Sequence, residues 1–238
     1  MGNLELLALT PPGWGGLLLR GLVTSISIAL GGYCFGLLIG IGGAFGKLYG
    51  GPVVRDLLVC YTTIVRAIPE LVLIVLLYYA GSDAVNHILS VFGLPPVDIN
   101  GLVAGIMVIG VVQGAYTTEV LRGAINAIDP GQIEAANAYG MGRGLILRRI
   151  ILPIMLPHSI PGLSNLWLIA TKDTALLAVV GFTELTMATR QAGGATKAYL
   201  LFFCTAGLLY LCVTLVSNLC IRKIEKHAYR GMPEVGRS

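Results

Sequence analysis

Charge is what this chain has least of. Asp, Glu, Lys and Arg together make up 12% of its 238 residues, against 55% apolar residues. With a mean hydropathy of +0.82 in 25.1 kDa, too much apolar surface is present for a soluble domain to hide. The net charge of +4 is small, which argues against a nucleic-acid partner. Cysteine is used five times, at 34, 60, 204, 212 and 220, with no C-x-x-C spacing. These cysteines lie in or near apolar runs and read as packing residues, with no disulfide framework or metal site. The start of the chain lacks a basic n-region, so a cleaved signal peptide is not expected. Nucleotide motifs are missing too. Before Lys47, Ile41 stands where a phosphate-binding loop needs its first glycine, and Leu48 where it needs Ser or Thr. Gly140, Gly142 and Gly144 follow no strand, so they are no dinucleotide fingerprint. Neither G-x-S-x-G nor H-E-x-x-H occurs, and the lone His87 has no ligand partner at metal spacing. The chain is therefore not expected to hydrolyse ATP or to bind a metal or cofactor.

What is present is an all-α, multi-spanning membrane protein. Apolar runs predict five transmembrane helices, at residues 17–45, 57–80, 101–125, 150–171 and 200–220. In the first, Gly32, Gly36, Gly40 and Ala44 recur every fourth residue, a small-residue stripe that lets another helix approach backbone to backbone. The second carries Arg66, Pro69 and Glu70. A charge at mid-bilayer costs roughly 2.5–3.5 kcal/mol on insertion scales, so both charges should face protein or water. Arg66 and Glu70 are four apart on one helical face; they form either a structural ion pair or part of a translocation path. Residues 81–100, with Asp83, Asn86, His87, Pro95, Pro96 and Asp98 and no Lys or Arg, read as an outer loop. Glu119 and Arg122 are spaced to pair at the inner end of the third span. Pro153, Pro157 and Pro161 are expected to break the fourth, and broken helices occur where they line a cavity or are buried in protein. Residues 175–180 read as a short re-entrant segment, and 181–199, with Glu184, Arg190 and Lys197, as an outer loop.

The longest polar interruption runs from Asp129 to Pro157. Asp129 as N-cap and Pro130 in the first turn start a short amphipathic helix. Ile133, Ala136, Asn137 and Gly140 share one face and Glu134 lies opposite. Gly140, Gly142 and Gly144 then offer positive-φ positions to end it. Glu134-Ala135-Ala136, Gly140, and Ile151-Leu152-Pro153 after the basic pair Arg148-Arg149 resemble the EAA loop of ABC-importer permeases. Glu119 to Ile125 upstream, and Leu163, Asn165 and Lys172-Asp173-Thr174 downstream, resemble the polar amino acid branch of that family. The R-x-x-P of the second span with its following Glu70 looks like the histidine/opine subgroup. The resemblance covers nearly the whole chain.

The resemblance implies an ABC type I importer permease domain over residues 17–222, a cytoplasmic coupling helix over 129–145 and a cytoplasmic tail over 223–238. It implies coupling to an ATPase through Glu134, Ala135, Ala136, Gly140 and Arg143. The implied partners are a second permease chain, related or identical, two ATP-binding subunits that carry ATP and Mg, and a soluble substrate-binding protein. The implied location is the inner membrane of a bacterial cell. Pro69-Glu70 looks more like one half of a heteromeric permease pair than like a homodimer.

Basic residues set the orientation independently. Lys47, Arg55, Arg122, Arg143, Arg148, Arg149 and the cluster Arg222, Lys223, Lys226 and Arg230 fall on one side; Arg20, Arg190 and Lys197 fall on the other. The first side is expected to be cytoplasmic and the N-terminus outside. For a zwitterionic substrate, Asp173 offers a carboxylate to the ammonium, Asn165 a neutral donor and acceptor, and Thr174 a hydroxyl; Glu70 and Arg66 complete the candidate path. The bland alternative is that Lys172 and Asp173 merely cap the span. A secondary transporter with a broken-helix site and an intramembrane enzyme are the competing classes. The first is disfavoured by the absence of an internal repeat, the second by the absence of a nucleophile–base pair.

Overall fold

The computed structural model describes residues 5–95 and 100–229; Pro96, Asp98 and Arg230, and the tail beyond 229, lie outside them. All regular structure among the described residues is helical. After a 3-10 turn at Glu5–Leu7 come α1 (Gly15–Tyr49), α2 (Pro52–Ala67), α3 (Glu70–Val91) and α4 (Gly101–Asn126). Then come α5 (Pro130–Ala138), α6 (Arg143–Ile146), a π turn (Leu147–Ile151), α7 (Leu152–Asp173), a 3-10 segment (Thr174–Val180), α8 (Leu185–Thr196) and α9 (Tyr199–Ala228). Among the described residues, five helical stretches are long and apolar enough to cross a membrane: α1, α3, α4, the run Arg143–Val180, and α9.

The centre of the fold is the α1–α4 pair, and its glycines create it. A Cβ placed on Gly32 would lie 2.7 Å from the Ile109 side chain; one on Gly36 would lie 3.0 Å from both the Gly110 carbonyl oxygen and the Gly114 amide nitrogen. Gly40 in turn abuts Thr117, and Gly43 abuts Thr118. The α1 backbone therefore lies directly against α4, meeting its side chains at Gly32, Gly40 and Gly43 and its backbone at Gly36, and a side chain at these positions would force the two helices apart. The partner residue number rises as the α1 number rises, so the two helices run parallel. The chain must therefore recross the bilayer once between them. That crossing is made by α2 and α3 together, because α2 with 16 residues spans only about 24 Å.

Four expectations are corrected. The second span, expected as one helix over 57–80, is two helices. Pro69 has no N–H and disfavours helical backbone at the residue before it, and Ile68 is extended at φ −90°, ψ 137°. Conversely, α3 runs to Val91, so Asp83, Asn86 and His87 sit on a helix. Between Ser82 and Phe92 no Gly or Pro stops it, and Gly93, at φ +71°, is the first residue suited to a left-handed stop. Nor do the fourth-span prolines break α7. Pro153 follows the π turn, from which α7 continues without a break, and Pro157 and Pro161 lie inside α7. Pro161 leaves the Pro157 carbonyl without its helical donor; the Tyr229 hydroxyl donates to that carbonyl at 3.1 Å. Helix α9 thus supplies what the proline removes.

The expected outer loop at 181–199 is also largely helical. Glu184 caps α8, accepting from the Met187 amide at 2.8 Å. Its other oxygen accepts from the Ser25 hydroxyl of α1 and the Tyr210 hydroxyl of α9, both at 3.1 Å. A fully buried carboxylate holding three elements is a tertiary device.

Candidate functional site: a charged path and a coupling helix

Inside the spans, the Glu70 side chain at the start of α3 lies in hydrogen-bond reach of Asp173 at the end of α7. The Tyr116 hydroxyl on α4 stands beside this pair. Gln113, one turn before Tyr116, donates Nε2 to Asp173 Oδ2 at 3.4 Å. Asp173 is 7% exposed and Gln113 fully buried. The remaining polar atom of Gln113, Oε1, meets no protein donor among the described residues. Three helices thus bring two carboxyl groups and an unpaired amide oxygen to one place. Thr174 is adjacent, but its hydroxyl donates to its own helix at Thr171 O, 2.9 Å away. Asn165 does not join the cluster. It is exposed two turns earlier on α7. Lys172 is also exposed.

Arg66 does not pair with Glu70 in the structure. The break at Ile68–Pro69 separates their helices, and Arg66 Nη1 instead lies 3.9 Å from Glu119 Oε2 on α4. Glu119 is the hub of a denser cluster. Its carboxylate accepts from Lys47 Nζ at 2.6 Å and from Arg122 Nη2 and Nε at 2.8 and 3.1 Å. Lys47 Nζ also donates to the Thr62 hydroxyl of α2 at 2.5 Å. The Glu119–Arg122 pair expected from spacing is present; the arrival of Lys47 and Arg66 is not visible in the sequence, since neither lies near Glu119 along the chain. Around this hub opens a cleft of about 610 Å³, lined by Lys47, Arg55, Arg66 and Arg122 with Thr63 among others.

The EAA stretch folds as its residues dictate. Asp129 Oδ1 accepts from the Gly131 amide at 2.8 Å, Pro130 opens α5, and Gly140 ends it at φ +72°. The Met141 amide then reaches back to Ala136 O at 3.1 Å, the wrap-around closure of a left-handed C-cap. Gly142 has φ −68°, and Gly144 too lies outside the positive-φ set, so of the three only Gly140 uses left-handed backbone. Ala136 is buried against Ala44, Leu121, Ile125 and Met155. Glu134, Ala135, Gly140 and Arg143 are exposed. Tyr139, at 89% exposure, stands beside them on the free surface. Helix α5 is therefore anchored by one face and open on the other.

Gln113 and Tyr116 escaped the sequence reading, and Glu184 entered it only as a residue of an outer loop. Gln113 had a signal, as the first side chain with hydrogen-bonding capacity after Gly101 in α4. Tyr116 and Glu184 had none, because an aromatic in a span and an acid in a Gly/Thr-rich stretch are both ordinary.

Residues 32–229 match the family model described as "Binding-protein-dependent transport system inner membrane component". The chain is 38% identical over 229 residues to the octopine transport system permease protein OccQ of Agrobacterium tumefaciens, covering 96% of this chain and 97% of that one. It is 36% identical over 220 residues to the histidine/lysine/arginine/ornithine transport system permease protein HisQ of Escherichia coli, covering 92% and 96%. With the nopaline transport system permease protein NocQ of Agrobacterium fabrum the identity is 39% over 236 residues, covering 97% and 98%. Among solved structures, an amino acid ABC transporter crystallised with histidines shares 26% identity at a TM-score of 0.77, covering 90% of this chain and 95% of that one. The methionine ABC transporter MetNI in an inward-facing conformation, 20% identical at a TM-score of 0.73 over 89% and 96%, shares the fold.

Proposed function

We propose, from the premise that the chain belongs to the family of binding-protein-dependent transport system inner membrane components, that it carries a polar amino acid or an opine-like derivative through the Glu70–Asp173–Gln113 site. A permease of this kind is a transport component that works with an ATPase and a binding protein. In the assembly we favour, two permease chains, this one and a related partner, form the pore. Two ATP-binding subunits hold ATP and Mg below it, and a soluble binding protein delivers substrate from above. Helix α5 is the coupling helix: Glu134, Ala135, Gly140 and Arg143 face the ATPase, and Ala136 ties the helix to the spans.

The observation that carries the substrate reading is the convergence of Glu70 and Asp173 beside the unpaired Gln113 oxygen. An acceptor-rich site within the spans suits a group that only donates, and the ammonium of an amino acid is such a group. Its relatives, named for histidine, lysine, arginine, ornithine, octopine and nopaline, all have nitrogen-bearing substrates. Asn165 lies along the exposed face of α7 on the way to this site.

The test is uptake by the assembled importer in proteoliposomes. Asp173→Asn should reduce the rate by roughly tenfold, the loss of one charge-assisted hydrogen bond, while ATPase activity still responds to the loaded binding protein. Asn165→Leu should reduce uptake less, because that side chain stands apart from the cluster. Wild-type rate and apparent affinity in both variants would place the site elsewhere.

A further inference from the structure

We infer that Arg66 is the carboxylate anchor of the translocation path, and that the cationic cleft around Glu119 is the inner vestibule through which a carboxylate-bearing substrate leaves. The inference rests on the substrate reading above and assigns the other half of the zwitterion. Four cations line the cleft, Lys47, Arg55, Arg66 and Arg122, against the single lining carboxylate Glu119. Three of the four approach Glu119, but not equally. Lys47, with its side chain 6% exposed, lies at 2.6 Å and Arg122 at 2.8 Å. Arg66 lies at 3.9 Å with half of its side chain exposed. Arg55 pairs with its neighbour Asp56 at 3.7 Å, and Lys47 and Arg122 already neutralise Glu119, so among the cations lining the cleft Arg66 is the one most open to another anion.

Its position fits that role. Arg66 also acts electrostatically on Tyr116, the residue that touches the Glu70–Asp173 pair. It lines the cleft four residues before Glu70, on the other side of the Ile68–Pro69 break, and so stands where the cleft approaches the ammonium-binding acceptors. An ammonium held by Glu70 and Asp173 leaves its carboxylate to be met by a guanidinium, which grips carboxylates bidentately. The cleft reaches inward from there for about 16 Å along α2, from Arg66 to Arg55. Glu119 lies seven residues inside the end of α4, about 10 Å along the axis. Charged groups that deep in a span face protein or water, and a phospholipid headgroup sits at the interface, nearer Arg55. The observations therefore favour a water-filled exit for a small anion-bearing solute.

The experiment uses the complete importer in proteoliposomes, with its native cysteines replaced and Thr63→Cys, on the cleft wall, as a reporter. Modification by an anionic methanethiosulfonate should outpace modification by a cationic one by roughly tenfold, and Arg66→Gln should cut that preference. L-Arginine or octopine should slow the anionic reagent; agmatine, which lacks the carboxylate, should not. Uptake of the transported compound should fall roughly tenfold in Arg66→Gln and recover partly in Arg66→Lys, with ATPase stimulation retained. Equal reagent rates, equal protection by agmatine, or unchanged uptake in Arg66→Gln would overturn the assignment. So would an Arg66 effect that vanishes in vesicles free of anionic lipid, because a headgroup would then be the occupant. If the wild-type importer takes up none of L-arginine, L-histidine or octopine, the substrate reading itself fails.

Discussion

Glu119 shows how one residue joins three elements. Its carboxylate, 16% exposed, holds Lys47 from α1 and Arg122 from its own helix, and lies 3.9 Å from Arg66 of α2. Removing the charge would strand Lys47, whose only other hydrogen-bond partner among the described residues is the Thr62 hydroxyl. Glu119→Gln is expected to destabilise the permease by roughly 1–2 kcal/mol, the loss of charge-assisted hydrogen bonds in a partly buried cluster. Adding Lys47→Met should recover most of that loss, because a matched apolar replacement leaves no bare charge. The measurement is the midpoint of detergent-induced unfolding for the single and double variants. A double variant no more stable than the single one would show that Lys47 is not the stranded partner.

At the scale of elements, the α1–α4 contact sets the geometry of everything else. It carries Gln113, Tyr116 and Glu119 on one helix and Lys47 on the other, so its close approach determines where the path and the cleft lie. Gly36→Leu would drive a side chain into the Gly110 carbonyl and the Gly114 amide. Overpacking of this kind costs at least about 2 kcal/mol, and the expected result is little folded protein recovered from the membrane. Gly42, on the same helix, has open space where a Cβ would be, so Gly42→Ala should behave as wild type. If both variants were equally stable, the two helices would not be in backbone contact in the membrane. The small-residue stripe was legible from spacing alone. Its partner was not: Gly110 and Gly114 in α4 also stand four apart, but small-residue spacing on two helices does not say that these two faces meet. The proline-rich α7 was misread for a related reason: the donor that rescues the Pro157 carbonyl comes from Tyr229, 72 residues away.

For the whole molecule, the parallel α1–α4 pair adds a topological argument to the charge count. Parallel neighbours require one return crossing between them, which α2 and α3 provide, and both arguments put residues 127–149 on the side richer in Lys and Arg. We expect a cysteine at Gly142 to be labelled only from the cytoplasm and one at His87 only from outside, in a background free of the exposed native cysteines. Labelling with the sides exchanged would invert the topology and remove helix α5 from reach of any ATPase.

Sequence alone determined that this chain lives in a membrane, crosses it five times, and carries a capped helix with an EAA signature between two spans. These follow from local physics: apolar run length, a capping Asp-Pro pair, and glycines at 140, 142 and 144 able to stop a helix. The family followed from the same stretch. Tertiary structure decided which charges meet. Arg66 was spaced to face Glu70, yet the extended Ile68 turned it toward Glu119; Asp173 gained Glu70 and Gln113 as neighbours; Glu184 left its expected loop to bind α1 and α9. Ion pairs within four residues can be read from helical periodicity, because the helix fixes their distance. Those between helices depend on the rotation and depth of each span. Here these are set by how closely glycine backbones approach and by where a proline interrupts the chain, and neither is written in the charges themselves.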